Sequence, residues 1–138
     1  MPDKPRKQFE RDCAALFGTA RFPANQGGRI DFEGERIIGQ CKEVKSISLA
    51  QLTTLADEMT ILGDLRNKVG VVCVKHRAGA GHRTSPLVVM TAKRFAAFYR
   101  SWMIRTPLDS PGMMLKLAPL EEKEKQELRE LLIRMQED

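Results

Sequence analysis

The chain has 138 residues, 42% hydrophobic and 30% charged, with a formal net charge of +5. This length suits one domain able to bury its own core, and the composition excludes a disordered or collagen-like chain. No apolar run approaches a membrane span and the opening MPDKPRKQFERD is no secretory leader, so the expectation is a cytoplasmic protein with no membrane partner. The charge is uneven: residues 121–138 hold seven acids and four bases, whereas residues 1–120 hold 19 bases and 11 acids. A basic body with an acidic tail points to a polyanionic partner, with nucleic acid the first candidate.

Residues 5–18 read as a helix. Pro5 suits a first turn, Phe9, Cys13, Leu16 and Phe17 recur at the helical period, and Gly18 is a stop. Glu10 falls on the border of that apolar stripe, from where its carboxylate can reach over the edge of a sheet. The segment TARFPANQGGR that follows is an extended piece and then a loop, with Arg21, Gln26 and Arg29 as phosphate-contacting candidates.

The stretch GRIDFEGERIIGQCKEVK, Gly28 to Lys45, reads as a hairpin with arms 30–33 and 36–43 around a Gly34-Glu35 turn. That turn sets Glu33 against Arg36, Phe32 against Ile37 and Asp31 against Ile38. Alternation then projects Asp31, Ile38, Gln40 and Lys42 from one face and gives Phe32, Ile37, Gly39 and Cys41 to the other. An ordinary half-exposed strand has the same pattern. A carboxylate, an amide oxygen and an ammonium on one strand face are also a set that chemistry can use.

Ser48 is an N-cap for a helix over 49–63 that Gly63 closes. VGVVCVK, 69–75, is the continuous apolar run of a strand covered on both faces, and 85–91 is a further strand. The loop between them carries His76, Arg77, His82 and Arg83, a basic tip suited to DNA. Residues 92–104 form a helix whose aromatics serve core packing, with some left for a partner surface. Pro107, Pro111, Gly112 and Pro119 mark a linker, and the last helix spans 120–136. The boundary drawn is a domain of residues 1–105, then 106–138 as linker and amphipathic helix, folded back on the domain or lying at a dimer interface. Cys13, Cys41 and Cys73, an odd number without a CxxC pair, read as small buried hydrophobes.

The order of helix, hairpin, helix, strand, strand and helix, with Glu10, Asp31 and Gln40-Cys41-Lys42, resembles the PD-(D/E)XK nuclease superfamily. Within it, residues 7–100 look most like archaeal-type and phage-type Holliday junction resolvases, with Glu10-Arg11 similar to their Glu-Arg pair. The sequence departs from the pattern at Ile30, where proline is usual, and at Gln40, which replaces an acid; Gln-x-Lys also occurs in Mrr-like restriction nucleases. The resemblance implies an α/β fold, a restriction-endonuclease-like mixed β-sheet flanked by helices, with an extra C-terminal helix. It implies a homodimeric endonuclease hydrolysing branched DNA at four-way junctions, in a bacterial, archaeal or phage-infected cell. Its catalytic residues would be Glu10, Asp31, Gln40 and Lys42. Its Mg²⁺, for which Mn²⁺ substitutes, would be held by Asp31, Gln40, the Cys41 backbone carbonyl and Glu10. Arg11, Arg21, Gln26, Arg29, Lys45, Arg77 and Arg83 would contact DNA. Two other readings stand beside it: an Mrr-like nuclease on duplex or branched DNA, and a non-catalytic DNA-binding module on an inactivated nuclease fold.

Overall fold

The computed structural model describes residues 5–21, 29–79, 81–105 and 121–136. In chain order the elements are α1 (Pro5–Leu16), β1 (Ala20–Arg21), β2 (Phe32–Glu33), β3 (Ile37–Val44), α2 (Leu49–Arg66), β4 (Val69–His76), β5 (Leu87–Val89), α3 (Ala92–Arg105) and α4 (Glu122–Gln136). The strands form one mixed sheet in the order β1-β2-β3-β4-β5. Its centre is the parallel pair β3 and β4, in unbroken register from Ile37 opposite Val69 to Val44 opposite His76. A parallel pair needs a crossover, and α2 supplies it. All other neighbours pair antiparallel. The class is therefore α/β, a mixed sheet flanked by helices.

Alternation along β3 and β4 divides the core in two. On one face Phe32, Cys41, Val71 and Cys73 pack with Phe9, Cys13 and Ala14 of α1 and Met135 of α4. On the other, Ile38, Val72 and Val74 pack with Met59 of α2. The three cysteines, from three different elements, lie together in the first cluster and are free thiols. Hydrogen bonds with Cys13 and then Cys73, together with burial, hold the Cys41 thiol far above its ordinary range. It remains a neutral packing group.

The hairpin register differs from the sequence expectation. Phe32 stands opposite Gly39 and Glu33 opposite Ile38, while the Gly34 N–H donates to the Ile37 carbonyl at 2.8 Å. The turn is therefore Glu35-Arg36, and the pairing is two residues from the one expected. The cause is steric. The Phe32 ring lies across the facing strand, where a Cβ on residue 39 would come within 2.0 Å of it. Only glycine permits that, and the ring also stacks on Phe17, centroids 5.4 Å apart. Gly34 serves close approach as well, because an added Cβ would meet the Thr19 methyl at 2.4 Å. A shift of two leaves the β3 side chains on their expected faces, but Ile30 joins the α2-side cluster while Phe32 lies in the α1-side one, so alternation is interrupted at Asp31.

Helix α2 begins as read, with a full capping box between Ser48 and Gln51. It runs past Gly63 to a left-handed cap at Asn67 (φ 56°). Gly63 instead lies inside the helix against β4, where a Cβ would come within 2.8 Å of the Gly70 nitrogen. Leu49, the first residue of the helix, is exposed. Glu33 ties the turn end of the hairpin to the α2–β4 junction, accepting from Arg66 Nη1 at 2.7 Å and Lys68 Nζ at 2.7 Å.

Two further expectations change. The strand read at 85–91 is only Leu87–Val89. Among the described residues of α3 the aromatics are not core: Phe95, Phe98 and Tyr99 are each about half exposed. The expected linker at 105–119 lies, apart from Arg105, outside the described residues. Beyond it, α4 folds back on α1 through Leu131, buried Met135 and an Arg134–Asp12 ion pair at 2.7 Å.

Gly39→Ala is expected to destabilise the protein by about 1–3 kcal/mol through overpacking against Phe32, seen as a lowered denaturation midpoint in urea. The Lys68 hydrogen bond, then Arg66, holds the Glu33 carboxyl below the ordinary glutamate range, outweighing burial, which acts in the opposite direction. A depressed pKa stabilises the fold above the unfolded-state value, and this stabilisation disappears as pH falls through the folded-state value. Glu33→Gln should therefore lose stability at neutral pH and show a flatter loss below about pH 4.5 than the wild type. Parallel stability–pH curves would contradict this.

Candidate active site

The site is built where β2 stops and β3 continues. The Asp31 N–H donates to the Gly39 carbonyl at 2.8 Å, the last main-chain bond of the hairpin. One step further the backbone of β2 is replaced by a side chain: the Cys41 N–H donates to Asp31 Oδ2 at 2.7 Å. A carboxylate accepting a main-chain N–H at that length is a charge-assisted bond, which fixes the group in the plane of the sheet edge. The N–H and C=O of a strand residue point to the same side, so the Cys41 carbonyl faces the same edge.

The paired ladder ends at Phe32 opposite Gly39; the Asp31 N–H also bonds the Gly39 carbonyl and its carboxylate bonds the Cys41 N–H, so Asp31 flanks Gln40 without being its register partner. Gln40 is only 7% exposed, and its Oε1 has no hydrogen-bond partner. A buried acceptor without a donor costs about 1–3 kcal/mol, so this position is held against stability. Lys42, two residues on, projects from the same face and is half-buried.

Glu10 is 6% exposed on α1, which packs on the face opposite to the one from which Gln40 and Lys42 project. Its carboxylate meets the other groups only around the sheet edge. On its own side, Glu10 precedes Cys13 by one helical turn, while Glu43 and Lys75 follow Cys41 and Cys73 by two strand positions. Glu43 and Lys75 are register partners. Lys75 is 5% exposed. The sequence reading passed over this lysine as the end of an apolar run. The signal was the alternation of 71, 73 and 75, which puts it on a covered face.

The cationic residues gather at the same end of the sheet. Lys45 follows β3 directly and is exposed. Arg77 follows β4, donates its N–H to the Val44 carbonyl at 2.8 Å and lies 3.8 Å from Glu43. The Thr84 hydroxyl donates to the His76 carbonyl at 2.6 Å, bringing exposed Arg83 to that end. Arg29 is exposed two residues before Asp31, and Arg11 is exposed on α1. Arg21 ends β1, and Gln26 lies outside the described residues.

The donor set of Asp31, Gln40 Oε1 and the Cys41 carbonyl is all oxygen, which suits a hard divalent cation. The orphaned Gln40 oxygen is the atom such a cation would satisfy. Among the described residues no group of three or more His, Cys, Asp or Glu side chains is arranged to hold a metal ion, so this set provides a single carboxylate. Comparison with protein-family models, characterised proteins and solved structures yields no match to this chain.

Replacing Gln40 by methionine, of similar volume, should raise stability by about 1 kcal/mol or more by removing the unsatisfied oxygen. Chemical denaturation is the measurement; a variant no more stable than the wild type would show that the amide has a donor in solution.

Proposed function

We propose that the protein is a metal-dependent structure-specific DNA endonuclease of the PD-(D/E)XK type, acting on branched DNA as a Holliday junction resolvase in the cytoplasm. The observation that carries this reading is the Asp31 carboxylate, anchored on the Cys41 N–H, beside buried Gln40, whose Oε1 has no partner. Asp31, Gln40 and the Cys41 carbonyl would hold Mg²⁺, or Mn²⁺ in its place, with Glu10 approaching around the edge. When bound, the ion supplies a Lewis acid for the phosphate and a water of lowered pKa.

The chain's own groups account for the remaining chemistry. Asp31 is oriented by a main-chain bond, so its carboxylate keeps a fixed direction. Lys42, on the same face as Gln40, places an ammonium beside the scissile phosphate and offsets charge that grows in the transition state. Arg29, Lys45, Arg77 and Arg83 contact backbone phosphates on either side, which fixes the duplex without reading its sequence. A two-fold dimer would cut two strands of like polarity at related positions of a four-way junction.

The single carboxylate and the absence of a three-ligand group among the described residues favour a second reading, a DNA-binding module without chemistry. Cleavage of a labelled four-way junction beside a linear duplex, with Mg²⁺, Mn²⁺ or EDTA, separates the two. Paired metal-dependent nicks at the junction are expected. Asp31→Asn and Lys42→Ala should each lower cleavage by about 10²-fold or more while leaving junction binding intact. Equal cutting of both DNAs would indicate an Mrr-like nuclease, binding without cutting would indicate the module, and cleavage surviving both substitutions would remove this site.

A further inference from the structure

The α1 side of the sheet buries charges that its apolar core does not need. Lys75 is 5% exposed and Glu10 is 6% exposed, on the face where α1 and α4 supply Phe9, Cys13, Leu131 and Met135 to the core. A buried ammonium or carboxylate is unfavourable unless an opposite charge answers it.

Three landmarks fix how α1 runs over the sheet. The Thr19 methyl lies against Gly34, Phe17 stacks on Phe32, and Cys13 hydrogen-bonds Cys41 and Cys73. Gly34 bonds Ile37, and Phe32 stands opposite Gly39. Stepping back along the chain from Thr19 to Cys13 therefore steps forward along β3 from 37 to 41. Three residues before Cys13, about 4.5 Å along the helix, comes Glu10. Two residues after Cys41 and Cys73, about 6.6 Å along the strands, come Glu43 and Lys75, which are register partners. These three groups are neighbours on one face. At that level β2 has ended, and β3 is the edge on which the Asp31 carboxylate is anchored. Of the nearby acids, Asp12 is met by Arg134 at 2.7 Å and Glu43 by Arg77 at 3.8 Å. Glu10 and Lys75 are the pair of opposite charge in which both members are more than nine-tenths buried.

We propose that Lys75 is a positioning residue whose ammonium pairs with the Glu10 carboxylate and holds it toward the sheet edge. Lys75 acts through Glu10 and does not touch substrate, unlike Lys42, which projects from the other face. The part of the pair in cleavage rests on the nuclease reading; the pair itself does not.

The experiment is a double-mutant cycle on the full chain, read by urea denaturation and by cleavage of a saturating four-way junction in Mg²⁺. Glu10→Gln and Lys75→Met should each lower the denaturation midpoint, because each leaves one buried charge unanswered. The double variant Glu10→Gln, Lys75→Met should recover most of that loss, which also provides a folded protein should Lys75→Met alone not fold. Lys75→Met should cleave about tenfold more slowly or worse, as slowly as Glu10→Gln, with junction affinity in EDTA unchanged. The double variant should be no slower than Glu10→Gln alone. Additive losses of midpoint would overturn the proposal, as would recovery of Lys75→Met by Glu43→Gln instead of Glu10→Gln. So would wild-type cleavage by folded Lys75→Met, the result expected of a purely structural lysine. Coupled midpoints in a wild type that cuts no DNA would remove the nuclease reading and still confirm the pair.

Discussion

The structure depends on one close approach: the ring of Phe32 lying across Gly39 on the neighbouring strand. Any side chain at 39 would collide with the ring, so this pair admits one register and excludes its neighbours. Once Phe32 is opposite Gly39, the Asp31 N–H bonds the Gly39 carbonyl and its carboxylate is left beside the Cys41 N–H. An aromatic ring covering a cross-strand glycine is a known means of pinning register while shielding exposed backbone. Here the same ring also joins the end of α1 to the sheet, since Phe17 stacks on it. A single packing constraint thus positions the polar groups at the strand edge without any of them contributing to the core.

Buried polar groups fall into two kinds. Asp12 is 5% exposed, yet it accepts from Gln8 and from Arg134, whose residue is 122 positions away. Glu33 is likewise held between two cations. Both pairings tie distant parts of the chain, the tail helix to α1 and the hairpin to the α2–β4 junction, and both would leave an uncompensated charge if broken. Gln40 differs, because its oxygen is buried without a donor. A methionine or leucine would fill that space without the desolvation cost. An amide there, two residues from a lysine and one residue from the N–H that holds the Asp31 carboxylate, is the feature that the core by itself does not require.

The sequence was most informative where one residue type answers one local need. Ser48 before a helix, the unbroken apolar run of β4 and the three cysteines at apolar positions were all legible, as were the strand faces, because alternation is a property of the backbone. The hairpin turn was not. Gly34 was read as a turn residue because glycine commonly supplies positive φ, whereas its role is to admit the Thr19 methyl. Gly63 was read as a helix stop for the same reason, and it serves contact between α2 and β4 instead. The two uses of glycine look alike until the partner from elsewhere in the chain is known. Lys75 was hidden because a charge at the end of a strand normally marks emergence into solvent. The exposure of α3 was equally illegible, since an amphipathic aromatic helix has the same pattern whether its partner is the core or another molecule.

The shortness of β2 has a consequence for accessibility. Were β2 to continue antiparallel to β3 beyond Asp31, main-chain partners would occupy the edge of β3 at Cys41, and its N–H would bond a carbonyl instead of a carboxylate. Because β2 ends at the site, the N–H is answered by a charged side chain and the adjacent carbonyl faces outward. The edge is also the only place where groups from the two faces of the sheet can approach a common point. Gln40 and Lys42 belong to the α2 side; Glu10, Glu43 and Lys75 belong to the α1 side. A ligand entering at the end of β2 therefore meets acidic and basic groups from both layers, whereas one resting on either face would meet half of them. The arrangement of charge favours a substrate that approaches the sheet edge-on, as an extended phosphate backbone can, over a small molecule enclosed within a single layer.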